Sequence, residues 1–152
     1  MSSNNYSIHS IIAAYGLGIT PHGYYIVKMM ANAKGQSSNI LPRENLSNLK
    51  GRIPGQVWDK LARARGPISM LWREFPCSPL QWQLAGNLAK LPAKDLNWFA
   101  FDYLCARVLY TMAYMGVKSE AASYLRTGLW AWSISVPILV LLKSANSIQG
   151  QN

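Results

Sequence analysis

Long stretches without charge restrict this chain more than any other feature. Residues 6–27, YSIHSIIAAYGLGITPHGYYIV, contain no Lys, Arg, Asp or Glu. Residues 127–142 are also free of charge, and 96–117 carry only Asp102 and Arg107. A helix over 6–27 would span about 33 Å, against about 30 Å for the hydrocarbon of a bilayer. The pattern predicts membrane-crossing helices at 6–27, 96–117 and 121–142. Half the chain is hydrophobic and 14% is charged, where an ordinary soluble protein carries about 25% charge. The 152 residues suffice for one domain, read here as a single membrane domain over 1–152.

Charge is concentrated where the apolar text stops. Eight of the 15 basic residues lie between Lys28 and Arg65, opposed by Glu44 and Asp59 alone. A net charge of +9 is compatible with nucleic-acid binding. The basic block, however, sits between apolar stretches and holds one aromatic, Trp58. A loop facing an anionic cytoplasmic leaflet explains it better, and no nucleic-acid partner is expected. Cys77 and Cys105 give neither a metal spacing nor a disulfide framework. His9 and His22 have no ligand-like partner, so no metal is expected. The start, MSSNNYSIHS, lacks a basic n-region, so the first span is read as a retained anchor.

The middle of the chain is harder to read. Residues 35–56 are rich in Gly, Ser, Asn and Pro and predict an irregular loop. A helix is expected from about Val57 through WDKLARAR. Then Pro67, Pro76 and Pro79, with Arg73 and Glu74 between them, make poor material for a span. Apolar text resumes at Leu84, Pro92 marks a turn, and Asp95 is expected to cap the next helix. If 66–91 supplies a disrupted second span, the fold is an all-α, integral-membrane four-helix bundle. The long basic loop and the short one at Lys118 then share the cytoplasmic side, with both termini in the lumen.

Three quoted stretches carry a family resemblance. They are NYSIHSIIAAYGLGITPHGYY with its PRENLSN loop, ARVLYTMAYMGV, and SYLRTGLWAWS. In this order and with this hydropathy the chain resembles the membrane-associated proteins in eicosanoid and glutathione metabolism, especially their fungal-type members. The likeness covers roughly 6–63 and 84–145. Arg107, Tyr110 and Tyr114 fit the family's Arg-x-x-Tyr-x-x-x-Tyr pattern.

That resemblance implies a homotrimer binding glutathione between subunits, with glutathione as co-substrate. It implies that Arg63 and Arg107 contact the glutathione carboxylates or thiolate. Tyr110 and Tyr114 would supply hydrogen bonds, and Arg126 would stabilise the attacking thiolate. The implied reaction adds that thiolate to an apolar electrophile, with hydroperoxide reduction as a companion. The implied site is the endoplasmic reticulum or a related endomembrane, with the mitochondrial outer membrane as the alternative. Each residue has a plainer reading. Arg107 can snorkel or pair with Asp102. Arg63 and Arg126 can be solvent-facing residues at an interface. Tyr110 and Tyr114, four apart, can simply pack between helices.

The family's second-helix motif, Arg-x-x-x-Ala-His-x-Asn-x-x-Glu, starts at Arg63 and then fails. Met70 stands in the place of its Asn and Arg73 in the place of its Glu. A nucleotide string encoding 67–83 exists whose neighbouring frame reads AHLNAMEGIPLFAAAVA. Trp82 followed by Gln83 forces one Ala of that string, and Met70 followed by Leu71 gives another where Leu71 has a CTN codon. The remaining positions follow from a choice among synonymous codons. Residues 67–83 therefore read as a frame-shifted segment, produced by a misplaced splice boundary or two compensating indels. Such a segment puts a cation where the family keeps an acid. It favours, as the alternative function, a non-catalytic membrane protein serving assembly or lipid binding.

Overall fold

The computed structural model describes residues 4–33, 44–73, 79–116 and 120–150, with the backbone alone over 66–73 and 120–122. Every regular element among these residues is a helix. They are α1 (Ser7–Ala33), α2 (Asn45–Asn48), α3 (Gly55–Arg73), α4 (Pro79–Leu88), α5 (Ala93–Gly116) and α6 (Glu120–Gln149). The all-α expectation holds. With 27, 24 and 30 residues, α1, α5 and α6 run for roughly 40, 36 and 45 Å. Glu74, Pro76 and Cys77, and the side chains of Met70 and Arg73, lie outside the described set.

Side-chain contacts fix the direction of each rod. At the start of α1, Ser10 Oγ accepts from Gln83 Nε2 at 2.7 Å and Ser7 Oγ accepts from Asn87 Nδ2 at 3.0 Å. Asn97 of α5 accepts from the Tyr6 amide at 2.8 Å and donates to the Asn4 carbonyl at 2.7 Å. At its far end α1 packs through Tyr25, Met29 and Ala33 onto Leu61 and Ala64 of α3. Ser147, late in α6, donates to the Ala89 carbonyl at 3.1 Å. The chain thus runs up α1, down α3 and α4, up α5 and down α6.

Two apolar clusters sit at the two ends of this arrangement. One joins the end of α1 to α3 and to Leu46 and Leu49 of the segment around α2. Trp58 secures that segment by donating Nε1 to the Leu46 carbonyl at 2.9 Å. The other cluster packs Trp82 with Leu96, Ala100, Tyr103, Val136 and Val140. Trp82 and Tyr103 meet edge to face with centroids 5.6 Å apart, a geometry that suits their quadrupoles.

Two elements begin or end differently from the sequence reading, for local reasons. Asp95 does not cap α5, because the helix already starts at Ala93, and the Asp95 and Leu96 amides bond the Pro92 carbonyl. Asp95 falls in the first turn, where a carboxylate faces the positive helix end, and pairs with Lys143 of α6 at 3.5 Å. At the end of α4 the Leu91 amide bonds Gly86 O and the Lys90 amide bonds Asn87 O. Lys90 sits at φ 54°, completing a Schellman turn with a residue that has a Cβ. Lys90→Gly is expected to raise stability by about 1 kcal/mol, read as a higher denaturant midpoint; an unchanged or lower midpoint would count against this turn.

Polar side chains on the long helices turn inward on their own backbone. Thr20, Asn32, Ser133, Ser135 and Ser144 each bond a carbonyl three or four residues earlier. The large apolar side chains do the reverse and face out. Ile12, Val27 and Met30 of α1, Trp98 and Met112 of α5, and Leu142 of α6 are more than half exposed. Soluble monomers rarely leave so much contiguous apolar surface bare. Among the described residues one helix, Ser123–Gln149, is long and apolar enough to cross a membrane, and 22% of its most apolar window is buried. So low a burial is unlike the core helix of a soluble protein. Over α1 and α5 the apolar text is diluted by His9 and His22, and by Asn97, Asp102 and Arg107.

Candidate functional site

Four of the five residues singled out from the sequence come together in one row. Tyr103, Arg107, Tyr110 and Tyr114 recur on α5 at spacings of four, three and four, which places them on one stripe. Residues at Leu96, Ala100, Tyr103, Ala106, Tyr110 and Ala113 form the buried face of α5, so this stripe borders the interior. Arg107 donates Nε to the Tyr103 hydroxyl at 3.2 Å. Its guanidinium lies 5.6 Å from the Tyr103 ring centre and 5.9 Å from that of Tyr110. Tyr110 and Tyr114 are 5.7 Å apart. Across the helix pair, Arg126 of α6 stands over Tyr114 at 5.0 Å.

The result is a cation, two aromatic rings and a second cation in series. Faces of electron-rich rings attract guanidinium groups, more strongly as water is removed. Among the described side chains no carboxylate pairs with Arg126. Two cations held along one aromatic stripe present a positive potential to any anion that enters. The Arg forks and Tyr hydroxyls can hydrogen-bond a carboxylate or thiolate.

Arg63 stands apart from this row. It lies on α3, which packs against α1 and α5, and it is half-buried. Its Nε is buried with no hydrogen-bond partner among the described residues. An unmade bond at a buried charged donor costs on the order of 1–3 kcal/mol or more, so an incoming acceptor would relieve it. Asp102 accepts from Trp132 Nε1 of α6 at 3.3 Å. No three His, Cys, Asp or Glu side chains converge as a metal site among the described residues.

Tyr103 is the member that the sequence reading passed over. Its signal was present: it stands four residues before Arg107, the same spacing that separates Tyr110 from Tyr114. Compared with known proteins, the chain matches no family model, no curated protein and no solved structure.

Proposed function

We propose that this chain is an integral-membrane four-helix protein that resembles the microsomal glutathione transferases and adds glutathione thiolate to apolar electrophiles. The observation carrying the reading is the Arg107–Tyr110–Tyr114–Arg126 series beside exposed apolar helix faces. A tripeptide anion at a membrane needs fixed cations, and guanidinium supplies them in planar, bidentate form. Cations beside the sulfur lower the thiol pKa and raise the fraction of nucleophile. The thiolate sulfur then bonds to the electrophilic carbon, and the leaving group departs with its electron pair. The thiol proton passes to solvent. Apolar substrates arrive through the lipid that the exposed side chains of α1, α5 and α6 face.

In this reading Arg126 stabilises the thiolate, Arg63 and Arg107 hold carboxylates, and Tyr110 and Tyr114 hydrogen-bond the peptide. The working assembly is a homotrimer in the endoplasmic reticulum or a related endomembrane, with the mitochondrial outer membrane as the alternative. Carbonate washing of membranes is the first test. Retention in the pellet is expected, and release of the chain into the supernatant would end the membrane reading. A spectrophotometric conjugation assay with glutathione and an apolar electrophile follows.

A second reading keeps the membrane bundle and drops the catalysis. Trp82 Nε1 and Gln83 Oε1 are both buried without hydrogen-bond partners, and both lie in the 67–83 segment. Native interiors hold few such atoms, although Trp82 packs against Tyr103 and Gln83 donates to Ser10. Membrane retention without conjugation would favour this reading. Sequencing the transcript across codons 60–90 tests the frame-shift account. A transcript with no shift, matched by peptides spanning Trp72 to Trp82, would remove it.

A further inference from the structure

Both ends of the bundle are basic, but unequally: Lys90, Lys94 and Lys143 accompany Asp95 at one end, and more cations gather at the other. Among the described residues from 28 to 65, Lys28, Lys50, Arg52, Lys60, Arg63 and Arg65 face only Glu44 and Asp59. Lys28, Lys50, Arg52 and Lys60 are exposed. The structure draws them to one end, because the end of α1, the α2 segment and the first half of α3 share an apolar cluster. Lys50 lies 5.5 Å from the ring centre of Trp58, and Trp58 is itself fixed to the Leu46 carbonyl. The cations therefore sit on a folded platform, not on a free tail.

An apolar collar adjoins that platform. Ile26, Val27 and Met30 flank Lys28 on α1, with exposures of 36%, 66% and 65%. A small soluble anion has no use for exposed apolar side chains beside its cations. A phospholipid does, since its headgroup meets the charges while its acyl chains cover the collar. We infer that this end is a docking surface for anionic phospholipid headgroups of the adjoining leaflet. The inference rests on the membrane reading above and is independent of the thiol chemistry.

The test uses the full-length protein reconstituted into vesicles, with spin-labelled phosphatidylserine and phosphatidylcholine compared for association. A cation at a charged leaflet contributes roughly fivefold in affinity, so wild type is expected to prefer phosphatidylserine by at least about fivefold. Lys50→Gln/Lys60→Gln removes two of the four exposed cations and is expected to lower the preference by about fivefold or more. Lys90→Gln/Lys94→Gln, at the opposite end, is expected to leave it in place. Raised salt should weaken the preference, because exposed charges are screened beyond about 10 Å at 0.1 M. Equal association of both lipids with wild type overturns the inference. So does an equal loss in the two double variants, or displacement of the lipid by millimolar inorganic phosphate. Circular dichroism of each variant separates lost selectivity from lost fold. A chain that does not enter vesicles sinks the membrane reading itself, whereas one that enters without selectivity sinks this inference alone.

Discussion

Arg126→Ala is expected to lower glutathione conjugation by about 100-fold or more. Removing one fixed donor from a developing or bound anion typically costs about 10²–10³ in rate, near 3–4 kcal/mol. Arg126 stands over Tyr114 at 5.0 Å. Truncation removes the cation and the fork together. The loss should fall on kcat more than on KM, because in the proposed reading the guanidinium acts on the sulfur and other groups hold the peptide. It should also change the pH profile. In the proposed reading Arg126 depresses the thiol pKa, so the thiolate would persist to lower pH; without it, the rate should rise only at higher pH. Arg126→Lys keeps the charge and loses the fork, so it should recover the pH profile better than the rate. An Arg126→Ala protein with wild-type kcat and an unmoved pH profile would remove Arg126 from its assigned role. Loss of the ring partner is milder. Tyr114→Phe keeps the contact beneath Arg126 and deletes only a hydroxyl.

The sequence carried the outline of this site and missed its continuity. Arg107, Tyr110 and Tyr114 were singled out by the Arg-x-x-Tyr-x-x-x-Tyr resemblance, and helical spacing then puts them on one face. Arg126 was named from a different helix, and nothing in its own spacing says that it would stand over Tyr114. That contact follows from how α5 and α6 pack. Tyr103 was legible by the same rule as its neighbours, yet it fell outside the motif that drew attention to them. The rod directions were harder still. They rest on Asn5, Ser7, Asn87 and Asn97, short polar side chains that join the start of α1 to α4 and α5. No periodicity encodes such cross-links, because they depend on three segments far apart in the chain.

The disputed segment shows a different limit. Local sequence rules read 66–91 as damaged, since Pro67, Pro76 and Pro79 interrupt an apolar helix. The backbone is nonetheless helical through Arg73 and again from Pro79. Pro79 opens α4, a position where its missing amide costs nothing. What its described side chains lack is a partner for the Trp82 indole N–H and for the Gln83 carbonyl oxygen, although Gln83 Nε2 donates to Ser10. Read in order, the neighbouring-frame string puts Val at Trp82 and Ala at Gln83. Among the described side chains of the segment, those are the two positions with a buried polar atom that lacks a partner. Deleting an orphaned acceptor relieves roughly 1–3 kcal/mol. Losing the indole, by contrast, empties the packing against Tyr103. Single substitutions there therefore mix opposing terms, and the transcript decides more cleanly than mutagenesis.

Gly86→Val is expected to destabilise the bundle by about 3 kcal/mol, at the upper end of the usual cost of overpacking. A Cβ built at Gly86 lies 2.5 Å from Leu96 Cδ2 and 3.2 Å from Val140 Cγ1. Leu96 and Val140 are 1% and 0% exposed, so the end of the Leu96 side chain can shift for one methyl but a larger displacement has nowhere to go. At Gly86 α4 lies against Leu96 of α5 and Val140 of α6, and small residues let helices approach at such contacts. Valine adds two further methyl groups to a position that already excludes one. Alanine is the informative control. It gains about 1 kcal/mol of helix propensity over glycine, while its single methyl must displace the end of one flexible side chain. The two terms nearly cancel, so Gly86→Ala should stay within about 1 kcal/mol of wild type. Unfolding of the reconstituted protein by added SDS, followed by circular dichroism, measures both. A Gly86→Val midpoint equal to that of wild type would show that α4 does not approach α5 and α6 this closely. The up-down course of the four rods would then lose the contact that sets their spacing.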